Sequence, residues 1–182
     1  MRELERLIGQ IPDFAIDVRN NLTSMLADDT LPSQSKYGLL LAAAIATRNP
    51  EVITAMESAA ASVLTPAALS AAKSAASVMA MNNVYYRFVR LSSNPEYRDM
   101  PARLQMNVID RPGVDKADFE LWSLAVSAIN GCAACIDASE RGLQEAWLSS
   151  SEIQTAVRFA AIVQSVAVAL EAAGNDESLA VE

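Results

Sequence analysis

Residues 128–143, AINGCAACIDASERGL, hold both cysteines of the chain, Cys132 and Cys135, in a C-x-x-C spacing. Two cysteines three apart on a helix share a face and approach closely enough for a reversible disulfide. Asn130 and Gly131 tolerate the left-handed conformation that ends a helix, so the spacing predicts a helix stop there and a new helix at Cys132. The first turn of a helix carries unpaired N–H groups and the positive end of the dipole, and this stabilises a thiolate. In such settings a cysteine pKa falls from about 8.5 to about 3.5–7.5. The competing reading makes both cysteines small apolar core fillers, since free cysteine is often buried. The helix stop favours the redox dithiol. A zinc site is excluded, because two thiolates cannot complete a tetrahedron without further cysteine or histidine.

No histidine occurs anywhere in the 182 residues. That removes Ser-His and Cys-His nucleophile pairs and imidazole acid–base chemistry. Proton transfer falls to carboxylates, thiols, tyrosine or water. Glu120, at the head of the apolar run ELWSLAVSAINGC, is the carboxylate of interest. Its plain alternative is an exposed acid in a first helical turn, where the dipole favours negative charge.

The elements that must position these groups read as helices. YGLLLAAAIAT (37–47), AALSAAKSAASVMAM (67–81) and IQTAVRFAAIVQSVAVALEA (153–172) are rich in Ala and Leu, with no sustained alternation of the strand type. Thr65 followed by Pro66 predicts a helix start, and Ser149 to Glu152 has capping-box spacing with Leu148 placed as a staple. The expected fold is all-α, a helical-bundle arrangement in a single domain over residues 1–182, built on pseudo-repeats at about 37–91 and 119–173. Tyr37, Leu39 and Ala43 precede Phe119, Leu121 and Ala125 by 82 residues, and Leu64, Thr65 and Leu69 precede Leu148, Ser149 and Ile153 by 84. In this register Pro50 is the counterpart of Cys132, so the dithiol turn exists in one copy. Residues 92–119 between the halves, with their prolines, read as an intradomain link in which Leu104, Met106, Val108 and Ile109 seek burial.

Composition narrows the function classes. Hydrophobic residues make up 52% and charged residues 20%, which suits a folded core. A net charge of -8 without a basic stripe excludes a nucleic-acid surface. The longest uncharged stretch of the second half, Leu121–Ile136, falls short of the roughly 18 apolar residues of a membrane span. The N-terminal MRELERLIGQIPDF lacks the apolar core of a signal peptide, so no membrane association and a cytoplasmic location are expected. In that compartment a cysteine pair is more often catalytic than a structural staple.

FELWSLAVSAINGCAAC resembles the active-site segment of the alkyl hydroperoxidase D (AhpD) family, and LLLAAAIATRNP, MAMNNVYYRF and LQMNVIDRPGVDKADFELW extend the likeness over nearly the whole chain. The resemblance implies an internally duplicated, all-helical subunit that forms homotrimers or higher homo-oligomers. It implies a thiol peroxidase that reduces alkyl hydroperoxides, partners a peroxiredoxin of the alkyl hydroperoxide reductase C type, and draws electrons from dihydrolipoamide on a lipoyl-bearing protein, with no bound cofactor. By position, Cys135 is the thiolate that peroxide oxidises to sulfenic acid. Cys132 donates the leaving proton, resolves the sulfenate and contacts the peroxiredoxin, although the dipole alone favours the thiolate at Cys132. Glu120 is the proton acceptor, 12 residues before Cys132 and about 18 Å away on a straight helix, so it acts only through a relay. The family motif continues C-x-x-C-x-x-x-H; this chain has Ser139 at the histidine and Ala134 at a position where relatives often carry another. A serine does not titrate near neutral pH and serves at most to hold a bridging water. Two other functions fit the helical unit: a lyase of the related carboxymuconolactone decarboxylase group, whose members can lack the dithiol, and a non-catalytic binding or redox-sensor protein.

Overall fold

A computed structural model describes residues 2–179, with side chains through Gly174. The described residues are mostly helical, with no strand among them. The order is α1 (Arg2–Gln10), α2 (Ile16–Ala27), α3 (Ser33–Thr47), α4 (Pro50–Ala61), α5 (Pro66–Leu91), the single turns α6 (Glu96–Asp99) and α7 (Asn107–Asp110), then α8 (Lys116–Asn130), α9 (Ala133–Glu145) and α10 (Ser150–Leu179).

Capping follows the local sequence. The Thr65 hydroxyl accepts from the Ala68 amide at 3.2 Å, with Pro66 at the first helical position of α5. At α10 the Ser149 amide donates to the Glu152 carboxylate at 2.8 Å while the Ser149 hydroxyl accepts from the Glu152 amide at 3.3 Å, completing the capping box. Hydrogen bonds from the Ser149 hydroxyl and amide hold the Glu152 carboxyl below its usual range. Leu148 packs into the same apolar cluster as Ile153.

The centre of the protein is α3 against α8, and both pack on α5 and on α10. Gly38 makes this crossing close: the Trp122 indole occupies the space a Cβ at position 38 would need. The indole N–H donates to the Ser35 carbonyl at 2.9 Å, so the buried ring is fully satisfied.

Burial corrects the internal register. Residues 38–44 of α3 and 121–127 of α8 are unbroken buried runs, an offset of 83 rather than 82. The left-handed residues that end these helices, Arg48 and Gly131, are also 83 apart. The N-cap of α4 is Asn49 and that of α9 is Cys132, so Cys132 matches Asn49 and not Pro50. The alanine-rich runs align almost equally well one residue out of step, and only burial distinguishes the two registers. At this offset Val52, Met56 and Ala60, which fill the core side of α4, stand where α9 places Cys135, Ser139 and Leu143. One repeat packs apolar side chains at the positions where the other puts a thiol and a hydroxyl.

A second correction concerns α10. By length and composition Ser150–Gly174 is apolar enough to cross a membrane, although it holds Glu152, Arg158 and Glu171. Half of its most apolar window is buried inside the protein. Ala156, Phe159, Ala160, Val163 and Val166 form that buried side, so the stretch serves as a core helix packed on α3 and α8.

Candidate active site

The site starts from the turn between α8 and α9. Gly131 takes φ 66°, ψ 37°, its amide bonds the Ala128 carbonyl at 3.2 Å, and the Cys132 amide bonds the Ser127 carbonyl at 3.1 Å. This pair of bonds is a Schellman motif, which satisfies the last carbonyls of α8 and sends the chain sharply back. Cys132 is therefore the extended N-cap of α9 rather than its first helical residue. Its carbonyl accepts from the amides of Cys135 and Ile136 at 3.0 and 2.9 Å. The two cysteine sulfurs lie at bonding distance as a disulfide, with Cα atoms 5.3 Å apart. Cys132 is completely buried, whereas Cys135 retains 6% exposure.

Helix α5 grips the end of α8 through amide chemistry. The Asn83 Nδ2 donates to the Ser127 Oγ at 2.9 Å, and the Asn130 Nδ2 donates to the Asn83 Oδ1 at 2.9 Å. One turn further, the Arg87 guanidinium donates to the Asn130 carbonyl at 2.7 Å, which places a cation at the C-terminal end of the α8 dipole. These bonds fix the turn that carries the dithiol. Sequence reading missed Asn83, Ser127 and Arg87 as positioning groups. MAMNNVYYRF stands out as a motif, but nothing in it says which asparagine faces which helix.

A cavity of about 310 Å³ opens between α5, α8, α9 and the link before α8. Cys135, Glu120 and Ser139 all line it, so the fold brings these three expected site residues together; Cys132 lies behind the wall and does not line it. Met106 and Ile109 of the link, half-buried as their hydropathy suggested, form part of the wall with Met79 and Tyr86 of α5. Because α9 returns along α8, Glu120 sits beside the last turn of α9. Its Cγ and Cδ lie 3.5 and 3.6 Å from where a Cβ at Gly142 would be. Cys135 is seven residues before Gly142, about 10 Å along the helix, and Ser139 stands between them. Glu120 also borders a second hollow of about 250 Å³ with Lys116, Gly142 and Glu145, so its carboxylate lies between the thiol cavity and an outer groove.

Two further polar groups face the cavity. Ser123, one turn after Glu120 on α8, is 2% exposed, and Asn82 comes from α5. Among the described residues, the Ser123 Oγ and the Asn82 Oδ1 are buried without a hydrogen-bond partner. Leaving such a group unpaired costs about 1–3 kcal/mol. Both lie in segments singled out in the sequence, MAMNNVYYRF and FELWSLAVSAINGCAAC, but no spacing signal says that this asparagine and this serine share a cavity.

Comparison with known proteins turns on the whole chain. The carboxymuconolactone decarboxylase family matches residues 95–174, the segment that holds the link, the dithiol turn and most of α10. A protein of Bradyrhizobium sp. (strain ORS 278) named alkyl hydroperoxide reductase AhpD is 69% identical across 98% of this chain and 99% of its own length. Proteins of the same name from Rhodopseudomonas palustris (strain BisA53) and Brucella anthropi are 66% and 61% identical, covering 98% and 95% of this chain and 99% of their own lengths. The chain belongs to the AhpD family. Membership agrees with the all-helical fold and with the C-x-x-C turn, and it makes an oxidoreductase of the alkyl hydroperoxide reductase type the frame for the cavity. Within that frame Ser139 lies on the cavity wall one turn after Cys135, toward Glu120.

Proposed function

We propose that this AhpD-family chain is a thiol peroxidase and disulfide reductase in which Cys135 and Cys132 cycle between dithiol and disulfide. The observation that carries the reading is the convergence of Cys135, Glu120 and Ser139 on one small cavity. In the reduced protein the Cys135 thiolate attacks the terminal oxygen of an alkyl hydroperoxide. An S–O bond forms, the O–O bond breaks, and the alkoxide leaves with the proton supplied by Cys132. Cys132 sulfur then attacks the sulfenic acid, a disulfide forms, and the departing hydroxide leaves as water with the proton that Glu120 took. Glu120 takes the proton that leaves Cys135, through a water held by the Ser139 hydroxyl, because about 10 Å along α9 is too far for direct transfer.

Electrons return from a dithiol such as dihydrolipoamide on a lipoyl-bearing protein, by thiol–disulfide exchange, with no bound cofactor. Exchange between Cys132 and a peroxiredoxin requires the Gly131–Ala133 turn to open, since the Cys132 sulfur is fully buried in the disulfide form. The chain acts in the cytoplasm and as a homo-oligomer, for which a trimer is the expected state. Self-association is supported by Met81, Val84, Phe88 and Leu91, exposed on α5 at spacings of three, four and three residues. That is the spacing of an apolar seam between helices.

The test is turnover of tert-butyl hydroperoxide with dihydrolipoamide. Cys132→Ser and Cys135→Ser should each abolish it, and mass spectrometry should show a reversible loss of two hydrogens joining the two cysteines. Full turnover in either variant would remove the dithiol from the mechanism. Turnover of a lactone by decarboxylation, insensitive to thiol alkylation, would instead favour the lyase.

A further inference from the structure

Ser123 and Asn82 present a pattern that the dithiol cycle leaves unused. They repeat, one position earlier on α5 and one turn earlier on α8, the asparagine–serine pair made by Asn83 and Ser127. The inner pair is closed, with Asn83 bonded both to Ser127 and to Asn130. The outer pair is open: the Ser123 Oγ and Asn82 Oδ1 have no hydrogen-bond partner among the described residues, and both side chains line the Cys135 cavity. The other end of the Asn82 amide points at the Met79 sulfur, 3.6 Å away, which leaves the amide oxygen as the free end.

We propose that Ser123 and Asn82 form the substrate-orienting pair of the cavity and hold the –O–OH group of a small, uncharged alkyl hydroperoxide against Cys135. This rests on the peroxidase reading and adds to it the residues that orient the substrate. The pair offers one obligate acceptor, the Asn82 oxygen, and one hydroxyl free to donate. A hydroperoxide has the complementary set on adjacent atoms: its terminal O–H donates to Asn82, and its inner oxygen accepts from Ser123. The inner oxygen becomes the alkoxide when the O–O bond breaks, so the Ser123 bond strengthens as negative charge develops there. The balance of the step is unchanged: Cys135 gains the terminal oxygen, and the alkoxide takes the Cys132 proton and departs as the alcohol.

The rest of the wall sets size and charge. Met79, Met106, Ile109, Ala134 and Ala138 offer apolar surface to an alkyl group. A volume of about 310 Å³ lies at the small end of the range for ligand cavities, about 300–1,000 Å³. A hydroperoxide carrying a carboxylate would meet the Glu120 carboxylate on the same wall.

The experiment separates the two half-reactions. Pre-reduced protein is mixed with tert-butyl hydroperoxide and disulfide formation is followed by rapid quench and mass spectrometry; separately, the oxidised protein is mixed with dihydrolipoamide. Ser123→Ala and Asn82→Leu should each slow oxidation by about five- to tenfold, the span of one hydrogen bond to an uncharged partner, with the loss confined to that half-reaction. Ser123→Ala deletes a hydroxyl that no protein group bonds, so its melting temperature should not fall. Oxidation at the wild-type rate in both variants would overturn the inference. Equal slowing of both half-reactions would do the same, since it marks a general structural defect. A wild-type chain that exchanges with dihydrolipoamide yet ignores the hydroperoxide would overturn the peroxidase reading itself, and this inference with it.

Discussion

Ser139→His probes the relay most directly. Position 139 is four residues after Cys135 and three before Gly142, so it lies about 6 Å along α9 from the thiol and about 4.5 Å from the level of Glu120. Serine bridges that interval only through a water, whereas an imidazole accepts and releases the proton itself. A positioned general acid–base group contributes about 10²–10⁴ in rate. On the proposed relay a water at Ser139 retains part of this, so the gain expected for the histidine variant near pH 7 is about ten- to a hundredfold. Ser139 is buried on the wall of the cavity, and a larger side chain there enters open volume rather than packed core. The sign of the pH effect follows from the base form: neutral imidazole is active, so the gain is present above the histidine pKa, ordinarily about 6.5, and is lost as pH falls through it. Single-turnover oxidation by tert-butyl hydroperoxide, measured from about pH 5 to about pH 8, reads both effects. A folded variant with the parental rate and an unaltered pH profile would show that no proton passes through position 139.

Two predictions test the frame around the site. Gly38→Ala puts a methyl group into the Trp122 indole and should cost about 3 kcal/mol, the upper end of ordinary overpacking, or about 6–12 °C in melting temperature for a chain of this size. A melting temperature equal to the parent's would refute the close α3–α8 approach. Val84→Glu with Leu91→Glu places two carboxylates on the exposed α5 seam and should shift the chain to monomers in sedimentation, with helical content retained; an unchanged oligomer would clear this face of the interface.

The helices and their ends are written in the local sequence. Ala and Leu runs without alternation made the elements helical, and Thr65 with Pro66, Ser149 with Glu152 and Asn130 with Gly131 marked boundaries that the caps and the Schellman turn reproduce. These are local effects, set by propensity and by hydrogen bonds within a few residues, so they are readable from the chain alone. Cys132 and Cys135 were legible for the same reason, their spacing being intrinsic to one turn. What faces them depends on how distant helices pack. Placing Glu120 beside Gly142 required α9 to fold back along α8, and singling out Ser123 and Asn82 required knowing that α5 and α8 meet at that depth. The repeat register, too, was settled by burial: in alanine-rich helices a one-residue slip costs little in sequence similarity, but it turns a buried face toward solvent. The thiol turn is local chemistry. The cavity beside it is a property of four chain segments brought together by the core.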